Sequence, residues 1–315
     1  MPVQTPVQHV GALVPIFDES EILNRPVSQG RLVVERFWKN KAAVGSLIVL
    51  VLMALIAVLA PAITRYNPIY FNVTHFVVDG PPGPSHWLGT DAIGRDVFSR
   101  IVYGMRPPLA VGFFGAALCT ILGGLIGAVA GYFGGWIDEI LMRFTEFIFV
   151  VPGILLIILG VAFFGEALDA TFGLTGRLVM ITLFLATDSW PVIMRLTRAE
   201  AMRMRSAEFV EAALVAGTTQ WQIVRRHVLA NVWGILMVQG SFLVSSFVFT
   251  LAVLTILGIG TLPPLPDISQ MILDAPQVFY VNVPEAVIPS VLVVIMILAP
   301  TFVGDGLRDA FDVRG

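Results

Sequence analysis

Long apolar runs without charged residues recur along this chain, and polar stretches separate them. Each run approaches the roughly 20 residues that carry a helix across a bilayer, although Asp188 interrupts the fourth. The first is also longer than the apolar part of a signal peptide, which indicates an uncleaved span. The pattern predicts an all-α integral membrane protein with six transmembrane helices. The predicted helices cover 44–63, about 108–132, 140–164 and 178–195, a part of 232–260, and 286–304.

Basic residues are distributed unevenly between the polar segments. An even number of spans places both termini on one side, and fourteen of the 19 Lys and Arg residues then fall on that side. Because such residues are enriched in cytoplasmic loops, the N- and C-termini are predicted to be cytoplasmic. The predicted order is a cytoplasmic segment 1–43, the first span, an extracytoplasmic loop 64–107, a five-helix core 108–304 and a cytoplasmic tail 305–315.

The composition excludes several classes of protein. Hydrophobic residues make up 57% of the chain and charged residues only 13%, about half the charged fraction of soluble domains. A net charge of −3 offers no field for nucleic acid, and one cysteine cannot form an internal disulfide. No nucleotide-binding P-loop is present because neither lysine follows a glycine. A soluble enzyme and a nucleic-acid-binding protein are therefore excluded.

The polar segment 196–231 predicts a helix, a turn and a second helix. Ser206 is a candidate N-cap of the first helix, and Gly217 suits the left-handed position just past its end. Thr219 and Gln222 have the spacing of a capping box for a second helix, which is expected to end near residue 229.

The first of these loop helices has an unusual surface for a polar segment. Residues three or four apart share a helix face, so an apolar face and an acidic side are predicted. The face either packs against the inner helix ends of this chain or docks into a soluble partner, and the residues alone leave both open. The acidic side holds Glu208 and Glu211, and the apolar face holds Phe209, Ala212, Ala213 and Ala216.

These residues carry a resemblance to a known family. Glu211-Ala212-Ala213-x-x-x-Gly217, followed by His227-x-Leu229, resembles the EAA loop of permease subunits of ABC importers. Four further motifs narrow the resemblance to the DppC/OppC-type subunit of the dipeptide/oligopeptide/nickel permeases, from about residue 31 to 315. They are the run from His86-Trp87 to Arg100, Gly134-Gly135-Trp136-x-Asp138, Leu257-Gly-Ile-Gly260 with Pro263-Pro264, and Gly304-Asp305-Gly306-Leu-Arg308.

The resemblance implies a type I importer fold of the MetI kind in a bacterial or archaeal cell membrane. It also implies that this chain is a non-catalytic permease with no cofactor of its own, since two partner ATPase subunits bind ATP and Mg. A second permease subunit, implied to be a different chain, and an extracytoplasmic solute-binding protein complete the assembly. The residues implied to contact an ATPase are Glu208, Phe209, Glu211, Ala212, Ala213 and Gly217.

The implied cargo is a di- or oligopeptide. Nickel chelates, glutathione or oligosaccharides are alternatives on the same fold. An intramembrane enzyme or a secondary transporter is a more remote reading, because the sequence shows neither paired intramembrane metal ligands nor an inverted repeat.

Three positions depart from the family pattern. Ala230 replaces the usual proline after the loop, at the turn expected after the second loop helix. Asp267-Ile268-Ser269 replaces a Trp-Gly pair, and Asp188 lies within a span. Asp188 is a candidate pathway contact, although an ion pair with Arg195 or hydrogen bonds to the backbone would also account for it.

Other residues have structural interpretations. Arg143 and Glu146 are expected to pair, and the segment from Thr90 to Asp96 either clasps its own chain through Asp–Arg pairs or touches the binding protein. Gly304-Asp305-Gly306 is expected to end the last helix. A stripe of glycines from 123 to 131 predicts a face on which another helix packs closely.

Overall fold

The computed structural model describes residues 29–69, 78–280 and 282–312. Expectations for 1–28, 70–77 and 313–315 therefore lie outside the described residues. In the described ranges the fold is helical, apart from one isolated bridge between Thr90 and Asp96. Six helices are long and apolar enough to cross a membrane, in agreement with the predicted number. They are span 1 (Lys41–Val58), span 2 (Val97–Phe133), span 3 (Gly153–Phe172), span 4 (Gly176–Arg205), span 5 (Gln220–Ile256) and span 6 (Val283–Phe311).

Shorter helices connect the spans or form parts of them. Two spans are composite: span 2 is interrupted at Met105, and span 5 contains a π-helical turn. The connecting helices are Gln29–Lys39, Ala60–Ile63, Gly135–Val150, the 3-10 turn Gly173–Thr175, Glu208–Val215 and Ile268–Val278. The parts are Val97–Gly104 and Arg106–Phe133 in span 2, and Gln220–Ile223, Val224–Val228 and Leu229–Ile256 in span 5.

The prediction of one continuous helix over 140–164 is wrong. The chain forms Gly135–Val150 and then span 3, and between them Val151 is extended with φ −101° and ψ 123°. Pro152 accounts for the break, because proline lacks an amide N–H and disfavours the helical conformation of the residue before it.

Spans 4 and 6 continue as helix beyond the C-terminal ends of their apolar parts. Span 4 runs to Arg205 rather than ending near 195, and span 6 runs to Phe311. Hydropathy marks only the part of a helix that lies in hydrocarbon, whereas Ala, Glu, Met and Arg continue a helix into water. Gly304-Asp305-Gly306 is therefore not a helix stop. A Cβ at Gly304 would lie 3.2 Å from Phe242, so this glycine instead permits a close contact.

Ala230 lies inside a continuous helix. The predicted second loop helix does not end near 229 but continues through Val224–Val228 into Leu229–Ile256, so it forms the start of span 5. A proline at 230 would have removed an amide donor from this helix, whereas alanine keeps it and has the highest helix propensity.

Span 2 lies at the centre of the helix packing, against spans 4 and 5. The glycine stripe is the reason, as predicted. A Cβ at Gly123 would lie 2.7 Å from the Cβ of Ile193, and one at Gly124 would lie 2.8 Å from Leu236. The missing side chains therefore let the backbones approach closely.

Candidate functional site: the loop between spans 4 and 5

The loop that carries most of the candidate residues is short. Span 4 ends at Arg205, and Glu208–Val215 begins after two residues. Ser206 is not its N-cap, because the Ser206 hydroxyl donates instead to the carbonyl of Arg203, at 3.2 Å. Ala207 occupies the N-cap position and makes no side-chain cap. The prediction for Ser206 is wrong because the last turn of span 4 offers a nearer acceptor for the hydroxyl.

The turn after the helix has the predicted chemistry. Gly217 adopts φ +83°, in the left-handed region, and the amide of Thr218 donates to the carbonyl of Ala213 at 3.0 Å. Thr219 and Gln222 form a reciprocal capping box. The amide nitrogen of Gln222 donates to Thr219 Oγ1 at 3.4 Å, and the amide nitrogen of Thr219 donates to Gln222 Oε1 at 3.2 Å. These contacts fix the direction in which the chain leaves the loop.

Val210 attaches the loop helix to the rest of the chain. Its side chain is 1% exposed and belongs to a cluster with Ile223, Val224 and Tyr132. The sequence interpretation missed Val210. The signal was available, since Val210 and the half-buried Ala213 are three residues apart and share a helix face.

The other sides of the loop helix are largely exposed, although the ring of Phe209 lies 5.9 Å from that of His227. Phe209 is 45% exposed, Val215 is 90% exposed, and Ala212 is also exposed. Glu208 and Glu211 are exposed as well, and neither forms an ion pair in the described part of the chain. Of the six predicted residues, four therefore lie together on the surface, Ala213 is half-buried, and Gly217 forms the turn.

Contacts beside the loop hold its base in place. Arg198 of span 4 pairs with Asp138 of the helix Gly135–Val150. The rings of Phe133 and Trp221 stack with centroids 6.4 Å apart. The loop helix therefore packs where the ends of spans 2, 4 and 5 meet.

Asp188 is half-buried and lies against the break before span 3. Its Oδ2 would be 2.6 Å from a Cβ at Gly153. The expected pair with Arg195 is not formed, since that guanidinium donates to Thr145 Oγ1 at 3.0 Å and lies over the ring of Phe149. A carboxylate near the start of a helix is favourably placed relative to its dipole.

A buried ionic cluster lies near the start of span 2. Asp91 accepts from Arg95 at 2.7 Å and from Arg100 at 2.6 Å, and Glu285 of span 6 lies 3.6 Å from Arg100. Asp96 caps the following helix by accepting from the amide of Ser99 at 2.8 Å. This arrangement matches the expectation that the segment clasps its own chain.

A second polar cluster follows span 5. Asp267 is 1% exposed, and its carboxylate accepts from Thr261 Oγ1 at 2.6 Å and from the amide of Ser269 at 2.6 Å. Burial raises the pKa of Asp267 above its ordinary value, and the hydrogen bonds from Thr261 and Ser269 act in the opposite direction.

Among the described residues no group of three His, Cys, Asp or Glu side chains is arranged to hold a metal ion. Arg143 and Glu146 pair at 3.0 Å, as predicted.

The six spans and the surface loop have the organisation of a transport permease. Comparison with known families agrees: residues 123–314 match the binding-protein-dependent transport system inner membrane component, and residues 28–82 match the N-terminal TM domain of oligopeptide transport permease C. The chain belongs to this family of ABC importer permeases, whose members are not themselves catalytic and work with ATPase and other subunits.

Curated relatives cover nearly the whole chain. The chain is 34% identical to the dipeptide transport system permease protein DppC of Alkalihalophilus pseudofirmus, over 91% of each chain. It is 34% identical to the glutathione transport system permease protein GsiD of Pectobacterium atrosepticum over 89% of each. It is 30% identical to the oligopeptide transport system permease protein OppC of Bacillus subtilis, over 94% of this chain and 93% of the relative.

A solved structure supports the fold. A chain of the MetNI methionine ABC transporter, in an inward-facing conformation, superposes with a TM-score of 0.50 at 21% identity. The match covers 68% of this chain and 97% of that one. At this identity the match supports the type I importer fold alone.

Proposed function

We propose that this chain forms half of the pathway of an importer for di- or oligopeptides and couples to an ATPase through Glu208–Val215. The observation that carries the proposal is the division of this helix into two faces. Val210 holds it to the permease, while Phe209 and Ala212 remain exposed. An aromatic ring and small residues on a polar loop are suited to a groove on a partner.

The proposed partners follow from the family. Two ATPase subunits bind ATP and Mg, a second permease subunit supplies the other half of the pathway, and an extracytoplasmic protein delivers the solute. When the ATPases close, the face of Glu208–Val215 moves with them. The partner thereby favours one orientation of the pathway, because it binds the two conformations with different affinity.

The orientation is part of the proposal. The loop must face the cytoplasm to reach an ATPase, which places both termini inside and the cell membrane around the spans. The uneven distribution of basic residues supports this orientation. Reporter fusions at Pro82 and Leu265 should be extracytoplasmic, and a fusion at Gln220 should be cytoplasmic. A loop reachable only from outside would refute the mechanism.

Substitutions on the two faces of the loop helix test the coupling. Phe209→Asp should leave the protein in the membrane but reduce transport and the ATP hydrolysis stimulated by loaded binding protein. Phe209→Leu keeps an apolar contact and should retain most of both. Val210→Asp should instead lower abundance, because it buries a charge. Normal stimulated hydrolysis in Phe209→Asp at wild-type abundance would contradict the proposed contact.

Two relatives are named for dipeptide and oligopeptide transport and one for glutathione transport. Uptake of labelled dipeptide, oligopeptide and glutathione by membranes carrying the complete transporter separates these cargoes. Peptide uptake that glutathione does not inhibit is expected. Uptake of glutathione alone would overturn the peptide assignment without affecting the coupling helix.

A further inference from the structure

A groove runs along the outer surface between spans 1 and 6. It has a volume of about 380 Å³. Gly45 and Val49 line it from span 1, and Leu298 and Phe302 line it from span 6. The groove is open at Gly45, where an added Cβ would meet no atom within 4 Å.

The groove runs into the apolar part of span 1. Eight residues separate Lys41, the first residue of span 1, from Val49, which corresponds to about 12 Å along a helix. Val49 is 38% exposed and Phe302 45% exposed, so the walls face away from the helix bundle. In a bilayer, an outward-facing apolar wall that no other subunit covers is in contact with lipid acyl chains.

A cation stands at one end of this apolar groove. Lys41 is exposed, contributes to the lining, and forms no ion pair in the described ranges. The groove therefore has an ammonium group at one end and mainly apolar walls along its length. An apolar groove with a lysine at its mouth is complementary to a phospholipid, because the walls suit an acyl chain and the ammonium suits the phosphate.

The helix Gln29–Lys39 continues this pattern along the membrane surface. Trp38 is 61% exposed and Val34 56% exposed, and they are one turn apart. Arg31 is three residues before Val34 and shares that face. Tryptophan beside basic residues is typical of a helix that lies at the headgroup level.

Contacts to span 6 hold this helix beside the groove. Arg36 donates to the carbonyl of Asp312 at 2.7 Å, and Asn40 Nδ2 donates to Asp309 at 3.4 Å. Phe37 is buried in a cluster with Val303. The end of the helix and the mouth of the groove therefore form one surface.

We propose that this surface is a binding site for a glycerophospholipid, with one acyl chain in the groove between spans 1 and 6 and its phosphate at Lys41. Trp38 and Arg31 extend the contact along the headgroup layer. The site lies outside the loop that is proposed to meet the ATPase, and it does not depend on which side of the membrane the termini occupy.

Native mass spectrometry of the assembled transporter, with phosphatidylglycerol added to delipidated complex, measures the occupancy directly. Lys41→Gln should weaken the adduct about fivefold, equivalent to about 1 kcal/mol for one basic residue at an anionic surface. Lys39→Gln removes the same charge from a lysine paired with Glu35 at 3.0 Å and should have a smaller effect. Diacylglycerol with the same chains should bind more weakly than phosphatidylglycerol and be insensitive to Lys41→Gln.

A second variant tests the groove rather than the charge. Gly45→Leu places a side chain in open space, so the complex should assemble normally while the adduct is lost. Val51→Leu, on the exposed side of the same helix away from the groove, is the matched control and should keep it. Equal phosphatidylglycerol binding by wild type, Lys41→Gln and Gly45→Leu would overturn the proposal. A disulfide between Val49→Cys and a cysteine in the second permease subunit, formed in native membranes, would also overturn it by identifying a protein in the groove.

Discussion

Gly217 is the residue on which the direction of the loop most depends. Its φ of +83° is accessible to glycine at little cost, whereas other L-residues lose roughly 1–2 kcal/mol there. A Cβ added at this position would meet nothing within 4 Å. The effect of a substitution should therefore arise from the backbone and not from crowding.

Two substitutions at this position separate those causes. Gly217→Val should reduce transport and stimulated ATP hydrolysis at normal abundance, because a β-branched residue disfavours the left-handed turn. Gly217→Asn also adds a side chain but tolerates that conformation, so it should retain most of the activity. Equal damage by both variants would show that the turn conformation is not the cause.

The cluster around Asp91 sets a second residue-scale expectation. Arg100 lies between Asp91 and Glu285 and is 5% exposed. Arg100→Leu leaves both acids without this partner, and breaking such a buried pair costs about 3–5 kcal/mol. A marked drop in the melting temperature of purified protein is expected.

The matched control for Arg100→Leu is Arg143→Gln. It breaks the exposed pair with Glu146, and exposed pairs contribute about 0–1 kcal/mol. A drop in melting temperature as large as that of Arg100→Leu would contradict the distinction between buried and exposed pairs.

Local chemistry predicted some residue roles and missed others. The Thr219–Gln222 capping box and the left-handed Gly217 follow from short-range spacing, so the sequence was sufficient. Ser206 lies between the end of span 4 and the start of Glu208–Val215, so its hydroxyl could bond to either helix. The structure shows that it donates to the carbonyl of Arg203 in span 4. The burial of Val210 was predictable from its position three residues before Ala213, but the predicted apolar face did not include it.

At the element scale, the glycine stripe determines how closely span 2 packs. Gly123→Val places a side chain against the Cβ of Ile193 and the carbonyl of Trp190, both 2.7 Å from the added Cβ. Span 2 must then move away from span 4, and the melting temperature in detergent should fall by several degrees. Ala110→Val adds volume to an exposed position on the same span and should change it little. Similar effects in the two variants would indicate that the stripe does not determine the packing.

Asp267 connects the end of span 5 to the helix Ile268–Val278. A carboxyl whose pKa is raised on folding binds its proton more tightly in the folded state than in the unfolded one. Stability therefore falls as the pH rises from the ordinary value of 3.8 towards the folded-state pKa. Asp267→Asn should flatten this part of the pH profile, which melting curves between pH 4 and 7 can measure; an unchanged slope would contradict it.

The number of spans could be predicted from the sequence, but the residues at which the helices end could not. Hydropathy detects apolar segments, so it identified six spans but placed the C-terminal ends of spans 4 and 6 too early, because both helices continue through polar sequence. Pro152 was visible in the sequence, yet proline can either kink a helix or end it. Extended Val151 shows that here it ends the helix.

At the scale of the whole molecule, three features support the account of an importer permease. They are the uneven distribution of basic residues, the six spans and the exposed loop helix Glu208–Val215. Family resemblance predicted the fold and the class of protein from ordered motifs, and the comparisons bear both out. The exposed face of Glu208–Val215 had to come from the structure, since the sequence left burial and docking equally open.

The most direct test of this account is site-specific cross-linking in the assembled transporter. Val215→Cys, labelled with a photoactivatable maleimide, places a probe at a residue of the loop helix that is 90% exposed, while native Cys119 is fully buried. Illumination should join this chain to an ATPase subunit, and Ser85→Cys on the opposite side should not. Cross-links from Val215→Cys only within its own chain, or only to the extracytoplasmic binding protein, would contradict the account.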